Sequence, residues 1–164
     1  MSENDITKDI PGCGWLAGIS HAELRRRGEF KMSENDITKD ILDASIKIHR
    51  QFGPGMLESV YEQLLEVELT RRGHKVERQK GVSFEYEGVK LDTAFRLDML
   101  VDDSVIVELK STEHMQPVYL KQVKTYLVVM GLQVGVLVNF GMNQLIDGYA
   151  RVVNGYTDPK PSQQ

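Results

Sequence analysis

With a single cysteine, Cys13, the chain can form no internal disulfide, so its core must hold without a covalent staple. It has no apolar run long enough to cross a bilayer, and its first residues lack the basic start and apolar stretch of an export signal. These absences point to a cytoplasmic protein. Positive charge is not in excess either. The 20 Lys and Arg stand against 24 Asp and Glu, a net charge of -4, which excludes a protein that coats nucleic acid by charge alone. A local site stays compatible with this balance, because carboxylates gathered around a divalent cation make the bare count too negative. What is present, 41% hydrophobic and 27% charged residues in a chain of 164, fits one globular domain and is too short for two ordinary ones.

The decapeptide MSENDITKDI stands at Met1 and again, letter for letter, at Met32. A repeat architecture needs several related units, and nothing after Ile41 resembles residues 11–31. In the second copy the residues run on into Ile37, Ile41, Ala44 and Ile48, spaced by three and four as one buried helix face requires. In the first copy they meet Pro11, Gly12 and Gly14, then a stretch with three consecutive arginines. Residues 1–31 are therefore expected to be a duplicated or artificially added leader outside the fold, with 32–154 the domain and 155–164 a polar, disordered tail. The leader holds five acids and five bases, which leaves 19 acids against 15 bases in the remainder.

Within the domain the periodicity predicts a helix from Ser33 to about Phe52, with Ser33, Asn35 or Asp36 as its cap and Gly53 as its stop. A second helix is expected from Met56 to about Arg72. The period then changes to two, in runs broken by Gly81, Glu87-Gly88 and Asp102-Asp103, as in an antiparallel meander. PVYLKQVKTYLVVMG returns to helix, with Pro117 in its first turn; QVGVLVNFG reads as a strand covered on both faces, and LIDGYARVV as a last strand. This order suggests a mixed sheet with helices packed against it.

FRLDMLVDDSVIVELK reads as one hairpin centred on Asp103. Leu97 would then face Leu109, Met99 face Val107 and Val101 face Val105 on a core side, while Asp98 stands opposite Glu108 on the other, with Lys110 two residues on. Arg96 would face Lys110, a like-charge pair that needs an anion nearby. Two carboxylates face to face repel, and one is expected to stay protonated unless a hard cation joins them. Such an ion with an ammonium beside it supplies the parts of phosphodiester hydrolysis. A solvated face of alternating acids and lysines would show the same spacing.

RLDMLV and VIVELK together resemble the signature of the PD-(D/E)XK nuclease superfamily, with Asp98, Glu108 and Lys110 at its named positions. QVKTY, on the following helix, resembles the Q-x-x-x-Y motif of one branch of it, at Gln122 and Tyr126, and GPGMLESVYE is similar to the pattern of the GxxExxY family, at Gly55, Glu58 and Tyr61. The match covers nearly all of 33–154. The resemblance implies a restriction-endonuclease-like α/β core, a mixed central sheet flanked by helices, and metal-dependent hydrolysis of phosphodiester bonds, with DNA as the expected substrate. Asp98 and Glu108, the Leu109 carbonyl and Glu58 would bind Mg²⁺ or Mn²⁺; Lys110 would serve the attacking water and the transition-state charge, with Gln122, Tyr126 and Glu58 in support.

Each residue also has a plainer role. Gln122 and Tyr126, four apart, share one helix face, and Tyr126 could simply pack in the core. Glu58 could be an acid favoured by the helix dipole. His49 fits a C-terminal cap or a packed residue, and Arg71, Arg72, His74, Lys75, Arg78 and Lys80 could follow a phosphate backbone or form a solvated surface. The rival to a nuclease is a catalytically silent module of the same fold that binds nucleic acid or a protein partner. With no separate target-recognition domain, targeting would fall to a protein partner or a second copy of the chain. A chain beginning at Met32 should keep the melting temperature and solubility of the full chain; a large loss of either would place residues 1–31 inside the fold.

Overall fold

The structure of the chain, a computed structural model, describes residues 31–155 together with Glu23 and Arg27. The expected leader and tail thus lie almost wholly outside the described residues. Helix α1, Glu34–Phe52, starts where an acceptor is available for its free N–H groups: Asp36 N–H donates to Ser33 Oγ (3.2 Å), and Glu34 and Asp36 occupy the first turn. Its buried stripe contains the expected Ile37, Ile41, Ala44 and Ile48. Helix α2, Glu58–Arg71, begins two residues later than its periodicity suggests, because Met56 and Leu57 belong to an extended approach in which Leu57 is the N-cap without a capping side chain.

Three strands follow, β1 (Val76–Tyr86), β2 (Val89–Val101) and β3 (Val105–Lys110), then helix α3 (Pro117–Met130), strand β4 (Val134–Asn139), a 3₁₀ turn (Leu145–Gly148) and strand β5 (Tyr149–Val153). Glu87-Gly88 makes the expected tight hairpin turn, both residues at positive φ (48° and 80°) as a two-residue loop of matching twist requires. Gly81 breaks nothing: β1 runs through it, paired with Arg96. The last predicted strand is shortened because the chain turns closely at Gly148, where a Cβ would collide with the Asn139 carbonyl.

The sheet has the order β1-β2-β3-β4-β5, antiparallel except for β3 and β4, which run parallel and are joined through α3. One face packs on α1 and α2 through Ile41, Tyr61, Leu65, Met99, Val107 and Leu109; the other packs on α3 through Leu100, Ile106, Val123, Leu127 and Leu137. Covered on both sides, β4 is buried throughout and β3 at every residue but Lys110, which explains their near-continuous apolar sequences. The chain is an α/β fold, a five-stranded mixed sheet flanked by helices. Among the described residues no helix is long and apolar enough to cross a membrane.

The hairpin of β2 and β3 keeps the expected register at Met99–Val107, Leu100–Ile106 and Val101–Val105, and there it stops. Leu97 and Leu109 do not pair, because the Leu109 N–H is taken by Asp98 Oδ2 (2.9 Å) instead of a backbone carbonyl. Leu97 joins Leu100 and Ile106 on the α3 face rather than Met99 on the other, and Arg96 lies opposite Gly81, not Lys110. On the far side of β2 the ladder also skips one pair, Gln79 with Asp98, between Arg78–Met99 and Lys80–Leu97. Gln79 has φ 51°, a left-handed backbone. For a side chain with a Cβ that conformation costs about 1–2 kcal/mol.

The basic cluster is not a free row of cations. Arg71 pairs with Glu68, Arg72 with Asp40, Lys75 with Asp103, Arg78 with Glu62 and Lys80 with Glu77. His49 behaves as a packed residue, its Nε2 2.8 Å from the Met142 carbonyl oxygen. His74 is buried between Asp102 (Nδ1, 2.7 Å) and Asp40 (Nε2, 2.9 Å), tying α1, the start of β1 and the β2–β3 turn together. Burial disfavours its charged form, but the bonds to Asp102 and Asp40 outweigh it and hold the imidazole above its ordinary 6.5. A raised folded value means a contribution fully present below about pH 6.5 and lost as pH rises through the folded pKa. The melting temperature of the parent minus that of His74→Gln should therefore shrink as pH is raised from 6 to 9; a difference independent of pH would contradict a charged His74.

Candidate active site

Four elements deliver side chains to one end of the sheet. The opened end of the hairpin supplies Asp98 from β2 and Glu108 and Lys110 from β3, α2 supplies Glu58 at its first turn, and α3 supplies Tyr119, Gln122 and Tyr126. Glu58 is brought there by two local ties. Ser111 Oγ donates to the Met56 carbonyl (2.8 Å), and the buried Tyr61 hydroxyl donates to the Gly53 carbonyl (2.5 Å) while accepting the Met56 N–H (3.2 Å). Tyr61 itself is fixed by stacking on Phe140 at 4.4 Å. Gly55, at φ 117°, sits in a backbone region that side chains rarely adopt. Of the three motif positions in this stretch, Gly55 and Tyr61 shape the loop that presents Glu58.

Glu108 is 3% exposed. Its Oε1 accepts from Lys110 Nζ at 2.6 Å, and its Oε2 is buried with no hydrogen-bond partner. Burial, then the charge of Asp98, pushes this carboxyl up to about 7 against the pull of Lys110. Asp98 is likewise held above its ordinary value, by burial first and also by the charge of Glu62, with the Leu109 N–H, Lys110 and the hydrogen bond that a protonated Glu108 shares with it opposing. Glu58 is raised by burial and by Asp98 and Glu62, with Lys110 and the Ser111 backbone opposing. Lys110 stays an ammonium: burial works against its charge, and Glu108, Asp98 and Glu58 more than compensate. Its Nζ also stands 5.3 Å from the centroid of the Tyr119 ring.

On α3, Gln122 Nε2 donates to the Tyr126 hydroxyl (2.6 Å), and the Tyr126 ring stacks on Phe95 at 4.3 Å. Burial, aided by the charges of Glu108 and Asp98, raises the Tyr126 phenol, so it remains a protonated donor. The fold thus brings Asp98, Glu108, Lys110, Glu58, Gln122 and Tyr126 into one neighbourhood. Leu109 contributes its backbone, its side chain being wholly buried in the core. Sequence reasoning missed Glu62, Gln79, Ser111 and Tyr119. Two of them carried a signal: Glu62 is four residues beyond Glu58 and Tyr119 three before Gln122, so each shares a helix face with a named residue.

Among the described residues no group of three or more His, Cys, Asp or Glu side chains converges to hold a metal ion. The smaller donor set still fits a hard cation. A buried carboxylate oxygen without a partner, beside a second carboxylate, is a site where positive charge relieves both desolvation and repulsion, and Mg²⁺ retains waters that complete its shell. Since the folded pKa of Glu108 lies above its ordinary 4.5, its contribution to folding is complete below about 4.5 and lost as pH rises through about 7. Carbon-13 NMR of metal-free protein should show the Glu108 carboxyl titrating near 7, Asp98→Asn lowering that midpoint and Lys110→Ala raising it further. A parent midpoint in the ordinary carboxylate range would contradict this electrostatic picture.

A family model for the PD-(D/E)XK nuclease superfamily matches residues 35–152, the span from the first turn of α1 into β5. No curated protein and no solved structure matches the chain. The family match covers most of the sequence and contains the opened hairpin with Asp98, Glu108 and Lys110, and the chain accordingly belongs to the PD-(D/E)XK nuclease superfamily.

Proposed function

We propose that this protein is a divalent-metal-dependent nuclease of the GxxExxY branch that hydrolyses phosphodiester bonds in DNA. The observation that carries the reading is the partnerless Glu108 Oε2, buried beside Asp98 and next to the Lys110 ammonium. Asp98 and Glu108 would hold Mg²⁺ or Mn²⁺, with Glu58 as a further acid. The Leu109 carbonyl would assist: in a strand the N–H and C=O of one residue point to the same side, and the Leu109 N–H is directed at Asp98. The bound ion would supply an acidified water, a polarised phosphoryl oxygen and charge for the leaving group.

The chain's own residues would do the rest. Lys110, held as an ammonium, neutralises charge building on the phosphoryl oxygens and orients the attacking water. Tyr126, kept protonated and aimed by Gln122, donates to a phosphate oxygen. A silent binding module remains the second reading, favoured by the Glu108–Lys110 ion pair, which ties the ammonium to the very carboxylate that would hold the ion.

Metal binding and turnover separate the two. Millimolar Mn²⁺ or Mg²⁺ should raise the melting temperature of the parent, and the Asp98→Asn, Glu108→Gln double variant should lose that response. Lys110→Ala should keep it while cleavage of linear, circular or single-stranded substrates falls by roughly 10²–10³-fold. A parent that cuts none of these substrates, yet binds nucleic acid equally well with and without Lys110, would establish the silent module.

A further inference from the structure

Asp98 is omitted from both ladders of its own strand. Between β1 and β2 the pairs on either side of it form, Arg78–Met99 and Lys80–Leu97, while Gln79–Asp98 does not; between β2 and β3 the ladder ends at Met99–Val107. Opposite Asp98 stands Gln79, a non-glycine residue at φ 51° in mid-strand, far from any turn. Strain of this kind persists only where surrounding structure over-determines it. The surrounding structure here is one buried side chain. Glu62, 4% exposed, accepts from Gln79 Nε2 at 2.8 Å through Oε2 and from Arg78 Nε at 2.6 Å through Oε1, while Arg78 is braced by Glu66 at 3.0 Å.

We infer that Glu62 is a positioning residue: by clamping Gln79 in the left-handed conformation it keeps Asp98 out of the β1–β2 ladder and turns its carboxylate onto the Leu109 N–H, beside Glu108. Each Glu62 oxygen accepts a hydrogen bond from a β1 side chain, so beside the direct effect of its charge on Asp98 it reaches that residue's backbone through Gln79. The clamp also accounts for the break in alternation along β2. Leu97 and Met99, two apart on one strand, pack on opposite faces of the sheet, and the switch falls at Asp98. Glu62 lies four residues after Glu58, so a single face of α2 both presents an acid to the site and sets the orientation of another. The metal consequence of this inference rests on the nuclease reading; the hydrogen-bond consequence does not.

The test is therefore read first on the full chain without metal, as amide hydrogen exchange by NMR. Glu62→Ala frees Gln79, and Gln79→Val disfavours positive φ, so either change loosens the hold on Asp98. Each should speed exchange of the Leu109 amide by at least about tenfold, with Ile106 and Val107 staying within about twofold of the parent. Glycine at the strained position should rescue: Glu62→Ala with Gln79→Gly should recover most of the Leu109 protection. A clamp that merely fastens β1 to α2 would move all three amides together and would gain nothing from the glycine. Leu109 exchange equal to the parent in both single variants overturns the inference, whether or not any metal binds. Where the parent shows a Mn²⁺-induced rise in melting temperature, Glu62→Ala should shift its midpoint to about tenfold higher Mn²⁺ and the glycine should reverse the shift. A parent without that rise removes the metal reading and leaves the exchange result to decide the role of Glu62.

Discussion

The hydrogen bond from the Leu109 N–H to Asp98 Oδ2 takes the place of a rung in the sheet, and the organisation of the site follows from it. A backbone donor on a central strand must be satisfied. Here it is satisfied by a carboxylate, so β2 and β3 part company just where Glu108 begins. The gap brings two acids of adjacent strands together inside a fold that gives them little water. Each then resists ionisation, Glu108 up to about 7, and the Lys110 ammonium engages only one of its oxygens.

The two-layer covering of the sheet makes this arrangement rigid. Leu109 is anchored on the α1–α2 side, while Tyr126 and the strand residues Leu100 and Ile106 are anchored on the α3 side, so the residues between them have little freedom to collapse on one another. The same layering divides the labour. Helix α2 brings Glu58 through the Tyr61 and Ser111 ties, and α3 brings a stacked, protonated phenol and an aromatic ring near the Lys110 ammonium. A buried charge with an unsatisfied oxygen is destabilising by itself, and proteins retain such groups at functional sites.

Much of this was legible in the letters because burial specifies it. The helix of residues 34–52 and its stop, the turns at Glu87-Gly88 and Asp103, and the register Met99–Val107 all follow from apolar period and turn chemistry, which one sequence displays directly. The triad Asp98, Glu108 and Lys110 was visible as a spacing that the superfamily signature shares. What could not be read was the interruption of the pattern. Perfect alternation predicts Leu97 beside Met99; the left-handed Gln79 and the Asp98 bond to a backbone N–H override it, and neither leaves a mark in hydropathy. For Glu62 the spacing from Glu58 placed it on the right helix face, but its partners stayed hidden. It sits on a helix as an ordinary glutamate, and its role depends on Arg78 and Gln79 arriving from another element. The basic cluster was misleading in the opposite direction, since each cation is spoken for by an acid distant or near in sequence.

The buried oxygen of Glu108 that Lys110 leaves unengaged is the proposed seat of a divalent cation. Calorimetry of Mn²⁺ binding at pH 7, repeated in buffers of different ionisation enthalpy, measures whether the ion displaces a proton from that carboxyl. With Glu108 at about 7, one ion should bind with release of roughly half a proton, and the release should vanish in Glu108→Gln. Binding without proton release, or no binding heat in the parent, would contradict the account.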